Sequence, residues 1–272
     1  MKIAVYIGRA DLVSDVRIKT LFDGLSKGGA EVCVLDENQK LDGDEDMLLS
    51  VGGDGTFLSA SSLAAERDIP IAGVNLGRLG FLSENRPEDV TEALLSEDYI
   101  IENRTMLHAD VHTGHPELDH WPYALNEMTV RRKGAAMLGV DVVVDGVSLP
   151  TYWADGLVIS TSSGSTAYSL SVGGPIVLPE SRVLIIAPIA PHNLNVRPLV
   201  VPDTSRIVLK MHSRDGVFEF SADNRTAEMD AETQITVAMA QFSLKRVRLN
   251  KSDFINALTE KLFWGEDVRN IK

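Results

Sequence analysis

The sequence predicts an α/β N-terminal domain with a mainly parallel sheet, followed by a β-rich, β-sandwich-like domain and a C-terminal helix. Three observations carry this. Short apolar runs alternate with helix-spaced stretches over the first hundred residues, alternating runs separated by turn signals follow from about Arg104, and the last segment returns to helical spacing. The expected boundaries are 1–105, 106–247 and 248–272, the last a helix docking back on the body. A length of 272 residues makes two domains the natural prior.

Taken in order, Ile3 to Ile7 reads as a buried strand. Val16, Leu21, Phe22 and Leu25 then recur at helical spacing until Gly28-Gly29 ends the element. Val32 to Leu35 is the next strand and places Cys33 in an apolar run, where it is expected to be buried. Asp36, Glu37, Asp42, Asp44, Glu45 and Asp46 crowd a solvated loop, for which no metal site is expected. Met47 to Val51 is a third strand, a helix runs from about Thr56 to Glu66, Ile71 to Val74 is a fourth strand, and Pro87 to Leu95 is a short helix. In the second half, Val140 to Val144, Leu157 to Ser160, Val183 to Ala187, Arg206 to Met211, Val217 to Phe220 and Ile235 to Ala238 read as strands. The closing helix spans Ser252 to Phe263, with Phe254, Ile255, Leu258, Leu262 and Phe263 at helical spacing.

The totals bound the function. A net charge of −13 without a basic patch argues against nucleic acid or an anionic membrane as partner. One cysteine forms neither an internal disulfide nor a zinc cluster, which fits a reducing cytosol. No stretch approaches the roughly 18 apolar residues of a membrane span, and the apolar start breaks at Gly8, too early for a signal peptide. A soluble, cytoplasmic protein is expected. His108, His112, His115 and His120 tempt a metal reading, but Thr113-Gly114 and Pro116 argue against a helix that would align them, so loop and surface positions are favoured. Core packing is the default for Trp153 and Trp264.

The chemistry concentrates at Gly52-Gly53-Asp54-Gly55-Thr56, between the third strand and its helix. Three glycines in four positions leave one side chain, so a ligand can lie against bare N–H groups, with Thr56 the expected N-cap for the helix that follows. A carboxylate inside an anion site has work to do in phosphoryl transfer, holding a divalent cation or accepting a proton from an attacking hydroxyl. The alternative is an ordinary Asp-Gly turn. No G-x-G-x-x-G fingerprint and no Walker-type P-loop is present, so a phosphate here is bound in another way.

Two further clusters sit in the β-rich half. Asn126-Glu127 interrupts a strand-like stretch with side chains able to grip vicinal hydroxyls. The segment from Trp153 to Ser171 runs from a strand into a hydroxyl- and glycine-rich turn and then a helix start, where Tyr168 offers a stacking face.

Gly52-Gly53-Asp54-Gly55-Thr56 and Gly164-Ser165-Thr166-Ala167-Tyr168-Ser169-Leu170-Ser171-Val172-Gly173-Gly174-Pro175, about a hundred residues apart with Asn126-Glu127 between them, closely resemble the NAD kinases. The first motif alone is shared with diacylglycerol, sphingosine and phosphofructokinase-like kinases; the combination and its order are specific. The resemblance implies transfer of the γ-phosphate of ATP to the adenosine-ribose 2′-hydroxyl of NAD, with a divalent metal, Mg above all, by a homodimer or homotetramer. On this match Asp54 is the proton acceptor, and Gly52, Gly53, Gly55 and Thr56 form the phosphate loop. Gly55, Asn126, Glu127, Asp155, Ser163, Ala190 and the run Thr166, Ala167, Tyr168, Ser169, Leu170, Ser171 bind the dinucleotide, with Phe81 as a wall of the base pocket. Two positions depart from the family pattern. Ser162 stands where proline is frequent, which predicts a less rigid turn. Asp223-Asn224-Arg225 stands where the family commonly carries Asp-Gly-Gln, so Asp223 and Arg225 enter the NAD site with the arginine free to face a phosphate. A lipid kinase of the same superfamily, or a dinucleotide sensor without catalysis, are the alternatives.

Overall fold

The computed structural model describes residues 1–35, 41–77, 80–250 and 253–263. In chain order these form β1 (Lys2–Ile7), α1 (Val16–Lys27), β2 (Glu31–Val34), β3 (Met47–Val51), α2 (Asp54–Glu66), β4 (Ile71–Val74), α3 (Pro87–Leu95), β5 (Tyr99–Asp110), α4 (Pro116–His120), β6 (Tyr123–Ala124), β7 (Glu127–Arg132), β8 (Leu138–Val144), β9 (Val147–Ser148), β10 (Tyr152–Ala154) and β11 (Gly156–Thr161). They continue with α5 (Tyr168–Ser171), β12 (Val183–Ile189), β13 (Leu199–Pro202), β14 (Ile207–His212), β15 (Val217–Ala222), β16 (Arg225–Asp230), β17 (Gln234–Leu249) and α6 (Phe254–Leu262). The chain divides into two compact units, residues 1–103 with 244–272, and residues 104–243.

The first unit is a parallel sheet in the order β17, β4, β3, β1, β2, in which the last residues of β17 join through Arg246 opposite Ile71. Every residue of β3 and β4 is buried, as expected of strands covered on both faces. Ile3, Val5, Leu49, Val51 and Val74 pack with Ile18, Leu21 and Leu25 of α1 and with Val90 and Leu94 of α3. β1 pairs with β2 on one side and β3 on the other, so the chain reverses direction of travel across the sheet between β1 and β3. In an open parallel sheet the carboxyl ends at such a point form a ligand crevice.

The second unit is a sandwich. A six-stranded antiparallel sheet in the order β13, β12, β11, β7, β15, β16 shares one core with the antiparallel strands β10, β8, β14 and the start of β17. Period-two alternation sends Leu157 and Ile159 of β11 into that core and Val158 to the other face, where Tyr168 and Val172 cover it.

Several expectations are corrected. Cys33 is exposed, because β2 is the edge strand of its sheet. A short helix does form beside Gly114, at Pro116–His120, and His108 lies in β5 against the Tyr123 ring rather than in a loop. Trp153 is 46% exposed rather than packed in the core. On α6, Ile255, Leu262 and Phe263 face solvent, and the N-cap is Asp253, which accepts from Asn256 N–H. Asp36, Glu37, Arg78, Leu79, Ser252 and Trp264 lie outside the described residues. No helix among the described residues is long and apolar enough to cross a membrane.

Candidate active site

The glycine turn stands at the carboxyl end of β3, beside that of β1. The helix starts two residues earlier than the sequence predicts: Gly53 is the N-cap, Asp54 the first helical residue, and Thr56 lies within the first turn. An N-cap needs only a backbone bent out of the helix, which glycine supplies, so Thr56 is released from capping. Its side chain instead fills the space above Gly8 and Gly52, where an added Cβ at either glycine would overlap it. A Cβ at Gly53 or Gly55 would meet nothing within 4 Å, so the backbone here is bare to its surroundings. The first N–H groups of α2, which have no partner inside the helix, and the positive end of its dipole lie on this surface.

Asp54 does not stand alone. Its Oδ2 accepts from Phe81 N–H at 2.9 Å, and its Oδ1 from Leu82 N–H at 3.1 Å and Ser83 N–H at 2.8 Å. The approach is so close that a Cβ on Gly80 would fall on the carboxylate. A carboxylate offers about four acceptor positions. Three are filled, and the one left is on Oδ2. The loop that supplies the amides is itself held from behind: Lys261 of α6 donates to Gly80 O, and buried Arg246 donates to Phe81 O at 3.3 Å while pairing with Glu84 at 2.6 Å and Glu102 at 3.0 Å. The Phe81 ring contacts Phe254, at 5.9 Å between centroids, and carries the Lys261 ammonium 4.7 Å from its centre.

In the second unit, Asn126 immediately precedes β7 and Glu127 opens it. Their backbone is organised by Asp223, at the tip of the β15–β16 hairpin with φ +49. The Asp223 carboxylate accepts from Leu125 N–H at 2.8 Å, Asn126 N–H at 2.9 Å and Glu127 N–H at 3.2 Å. Burial pushes its carboxyl up, against the pull of those amides and of Arg225. Arg225 donates to the carbonyls of Trp121 and Tyr123, so its guanidinium is spent inside the fold rather than turned to a phosphate, and burial lowers its pKa. Asp223 therefore builds the platform under Asn126 and Glu127, and Arg225 ties down the stretch from Trp121 to Tyr123 that leads into it.

Glu127 accepts from Tyr168 N–H at 3.3 Å, which joins the two clusters that the sequence separates by 41 positions. Burial, then the charge of Asp223, raises its pKa to about 8. Gly164 lies against the Asn126 carbonyl too closely for any Cβ, and Thr161 closes the turn through Leu125 O at 2.6 Å and Gly164 N–H at 3.1 Å. Ser162 is buried and donates to Pro179 O at 2.8 Å, and Ser165 Oγ bridges Val177, so hydroxyl bonds hold the turn that lacks proline. Ser163 Oγ and Ser169 Oγ are buried without a hydrogen-bond partner among the described residues. Thr166, Ala167, Tyr168 and Leu170 are half-buried, and Ser171 is exposed. Asp155 is paired with Arg132, whose Nε lies 2.6 Å from Oδ1. Next to Asp155's partner carbonyl, Ile189 O, Ala190 holds a left-handed φ of +45, a strained backbone for alanine.

Sequence reasoning did not anticipate the bonds that Lys261 and Arg246 make to the Phe81 loop, nor the three amides that Asp223 holds. One signal was present for Lys261: it falls at i+7 from Phe254 and i+3 from Leu258, a cation on the apolar stripe of α6.

Comparison with known proteins bears on the same residues. The ATP-NAD kinase N-terminal domain matches residues 29–97, and the ATP-NAD kinase C-terminal domain matches residues 125–249. An NAD kinase of Flavobacterium psychrophilum is 43% identical over 86% of this chain and 81% of its own, and one of Bacteroides fragilis is 39% identical over 99% and 100%. Among solved structures, an NAD kinase from Archaeoglobus fulgidus in complex with ATP superposes with a TM-score of 0.75 at 28% identity, covering 92% of this chain and 95% of that one. Yeast NADH kinase complexed with NADH gives 0.82 at 26% identity, covering 99% and 90%.

Proposed function

The chain belongs to the ATP-NAD kinase family, and from that premise we propose how its residues carry the reaction. It is an NAD kinase, moving the γ-phosphate of ATP to the 2′-hydroxyl of the adenosine ribose of NAD. A ribose hydroxyl is a poor nucleophile, but phosphoryl transfer through a loose transition state needs alignment and charge neutralisation more than a strong base. Asp54 takes the hydroxyl proton on the free acceptor position of Oδ2. The observation that carries this is a carboxylate with three amides fixing its direction and a single position left over, at a turn open to a ligand.

The bare amides of Gly53 to Thr56 take phosphate oxygens. Asn126 and Glu127 hold ribose hydroxyls: at neutral pH Glu127 keeps its proton and so both donates and accepts. Tyr168 and the residues around it, with the unpartnered Ser163 hydroxyl, receive the base and its amide. Asp223 and Arg225 position this set without touching the dinucleotide.

The donor set fits a divalent cation that arrives on the nucleotide. The one free position of Asp54 serves the hydroxyl proton and Glu84 is held by Arg246, so the cation would be held chiefly by the substrate phosphates, as magnesium commonly is. When bound there, such a cation would neutralise charge on the transferring phosphoryl group. The family pattern further supports a cytoplasmic, self-associating enzyme, and light scattering on the purified protein tests the self-association.

The decisive assay is incubation of folded protein with NAD, ATP and magnesium, reading NADP. No NADP would sink the reading, and a dinucleotide sensor would take its place.

A further inference from the structure

We propose that Lys261, carried by the C-terminal helix α6, is a positioning residue for phosphoryl transfer, holding the Gly80–Phe81 peptide so that its N–H fixes the reactive oxygen of Asp54. The inference rests on the reading of Asp54 as proton acceptor and adds a residue to it.

Gly80 C=O and Phe81 N–H belong to the same planar amide. Its carbonyl accepts from the Lys261 ammonium, and its N–H donates to Asp54 Oδ2, the oxygen with the free position. The next amide repeats the pattern: Phe81 C=O accepts from Arg246 and Leu82 N–H donates to Asp54 Oδ1. Two cations therefore act on one carboxylate through two rigid dipoles side by side, and within each relay one bond polarises the next. The two cations are anchored differently. Arg246 is fixed by Glu84 of the loop and Glu102 of β5, whereas Lys261 depends on α6, which reaches the loop through the Phe254 and Phe81 rings. Lys261 is more enclosed than Leu262 and Ile255 of its own helix, the reverse of what hydrophobicity would arrange.

Lys261→Met keeps the stem over the Phe81 ring and removes the ammonium. It is expected to lower kcat about tenfold, the scale of one hydrogen bond to a charged group. KM for NAD and for ATP should stay within about twofold, since the residue acts on the reacting oxygen and not on ground-state binding. In an Asp54→Asn background the same change should leave the residual kcat untouched. Lys261→Arg, which keeps a donor and the charge, should retain most of the turnover, and Lys261→Leu, which also lacks the ammonium, replaces the methionine variant with the same expected loss if that one does not fold. Full kcat in Lys261→Met, or an equal loss in the presence and absence of the Asp54 carboxylate, overturns the proposal while leaving Asp54 in place. Full kcat in Asp54→Asn removes the underlying reading, and the proposal with it.

Discussion

Two carboxylates in this chain are built the same way and serve opposite ends. Asp54 accepts three consecutive backbone amides, those of Phe81, Leu82 and Ser83, and Asp223 accepts three others, those of Leu125, Asn126 and Glu127. Around Asp54 the flanking glycines look onto open space, and an acceptor position remains. Asp223 turns inward from a hairpin tip, and burial presses its carboxyl toward the neutral form. In the first unit a loop is arranged to aim an acid. In the second an acid is arranged to shape a loop, the one bearing Asn126 and Glu127. Three amides on a carboxylate therefore do not distinguish the two acids; the open surroundings of Asp54 do, and the role proposed for it depends on them.

The largest expected effect tests the first half of this contrast. Asp54→Asn should lower kcat by roughly 10²- to 10⁴-fold, the usual worth of a proton acceptor, with the NAD dissociation constant from calorimetry changed little. The asparagine nitrogen cannot accept from an amide, so at least one bond to the Phe81–Ser83 loop is lost, and turnover must be read on protein whose unfolding curve is known. Asp223→Ala should do the reverse. It strips three amides of their acceptor, costing on the order of 1–3 kcal/mol for each that stays buried and unpaired, and NAD affinity should fall with the loop. Urea unfolding and calorimetry separate the two patterns. A kcat loss in Asp223→Asn as deep as that of Asp54→Asn, at unchanged stability, would erase the distinction.

What the sequence disclosed follows the range of the interactions. Helix Pro87–Leu95, the four parallel strands and the glycine turn are written in neighbours a few residues apart, and local periodicity is enough to read them. The start of α2 was misplaced because a glycine N-cap leaves no side-chain signature, whereas a nearby threonine does. The exposure of Cys33 turns on the edge position of β2, which its own residues do not encode. The bond from Asp223 to Asn126 spans 97 positions and that from Lys261 to Gly80 spans 181. Pairings of this range belong to the tertiary fold, so the glycine turn and the hydroxyl-rich turn were legible and the contacts that hold them were not.

A smaller effect sharpens the second half of the contrast through pH. The Glu127 carboxyl titrates near 8 in the folded chain against an ordinary 4.5. Between those values the native state holds a proton that the unfolded state has released, so the stability this group contributes is fullest below about pH 4.5 and is lost as pH rises through 8. Asp223 shifts in the same direction, so the measurement is a difference: between pH 6 and 9 the melting temperature of the native sequence should fall more than that of Glu127→Gln. Loss of the donated hydrogen bond should likewise raise KM for NAD several-fold above pH 8, while the glutamine variant stays flat. Parallel profiles would mean that Glu127 is ionised throughout and that burial does not govern it.

The smallest effect concerns how the second unit keeps its turn rigid without proline. Ser162 has φ −58 and ψ −37, a conformation that proline's fixed φ tolerates, and its hydroxyl donates to Pro179 O at 2.8 Å. Ser162→Ala removes the donor and leaves that carbonyl without it, for a loss of about 1 kcal/mol in urea unfolding. Ser162→Pro suffers the same loss but restricts the unfolded chain, which returns about 0.4–1 kcal/mol. The two terms nearly cancel. The proline variant should therefore unfold close to the native sequence and above the alanine variant, with KM for NAD unchanged. A proline variant well below alanine would show that the turn needs the Ser162 N–H or a φ that proline cannot hold, and that the hydroxyl is not a substitute for the ring.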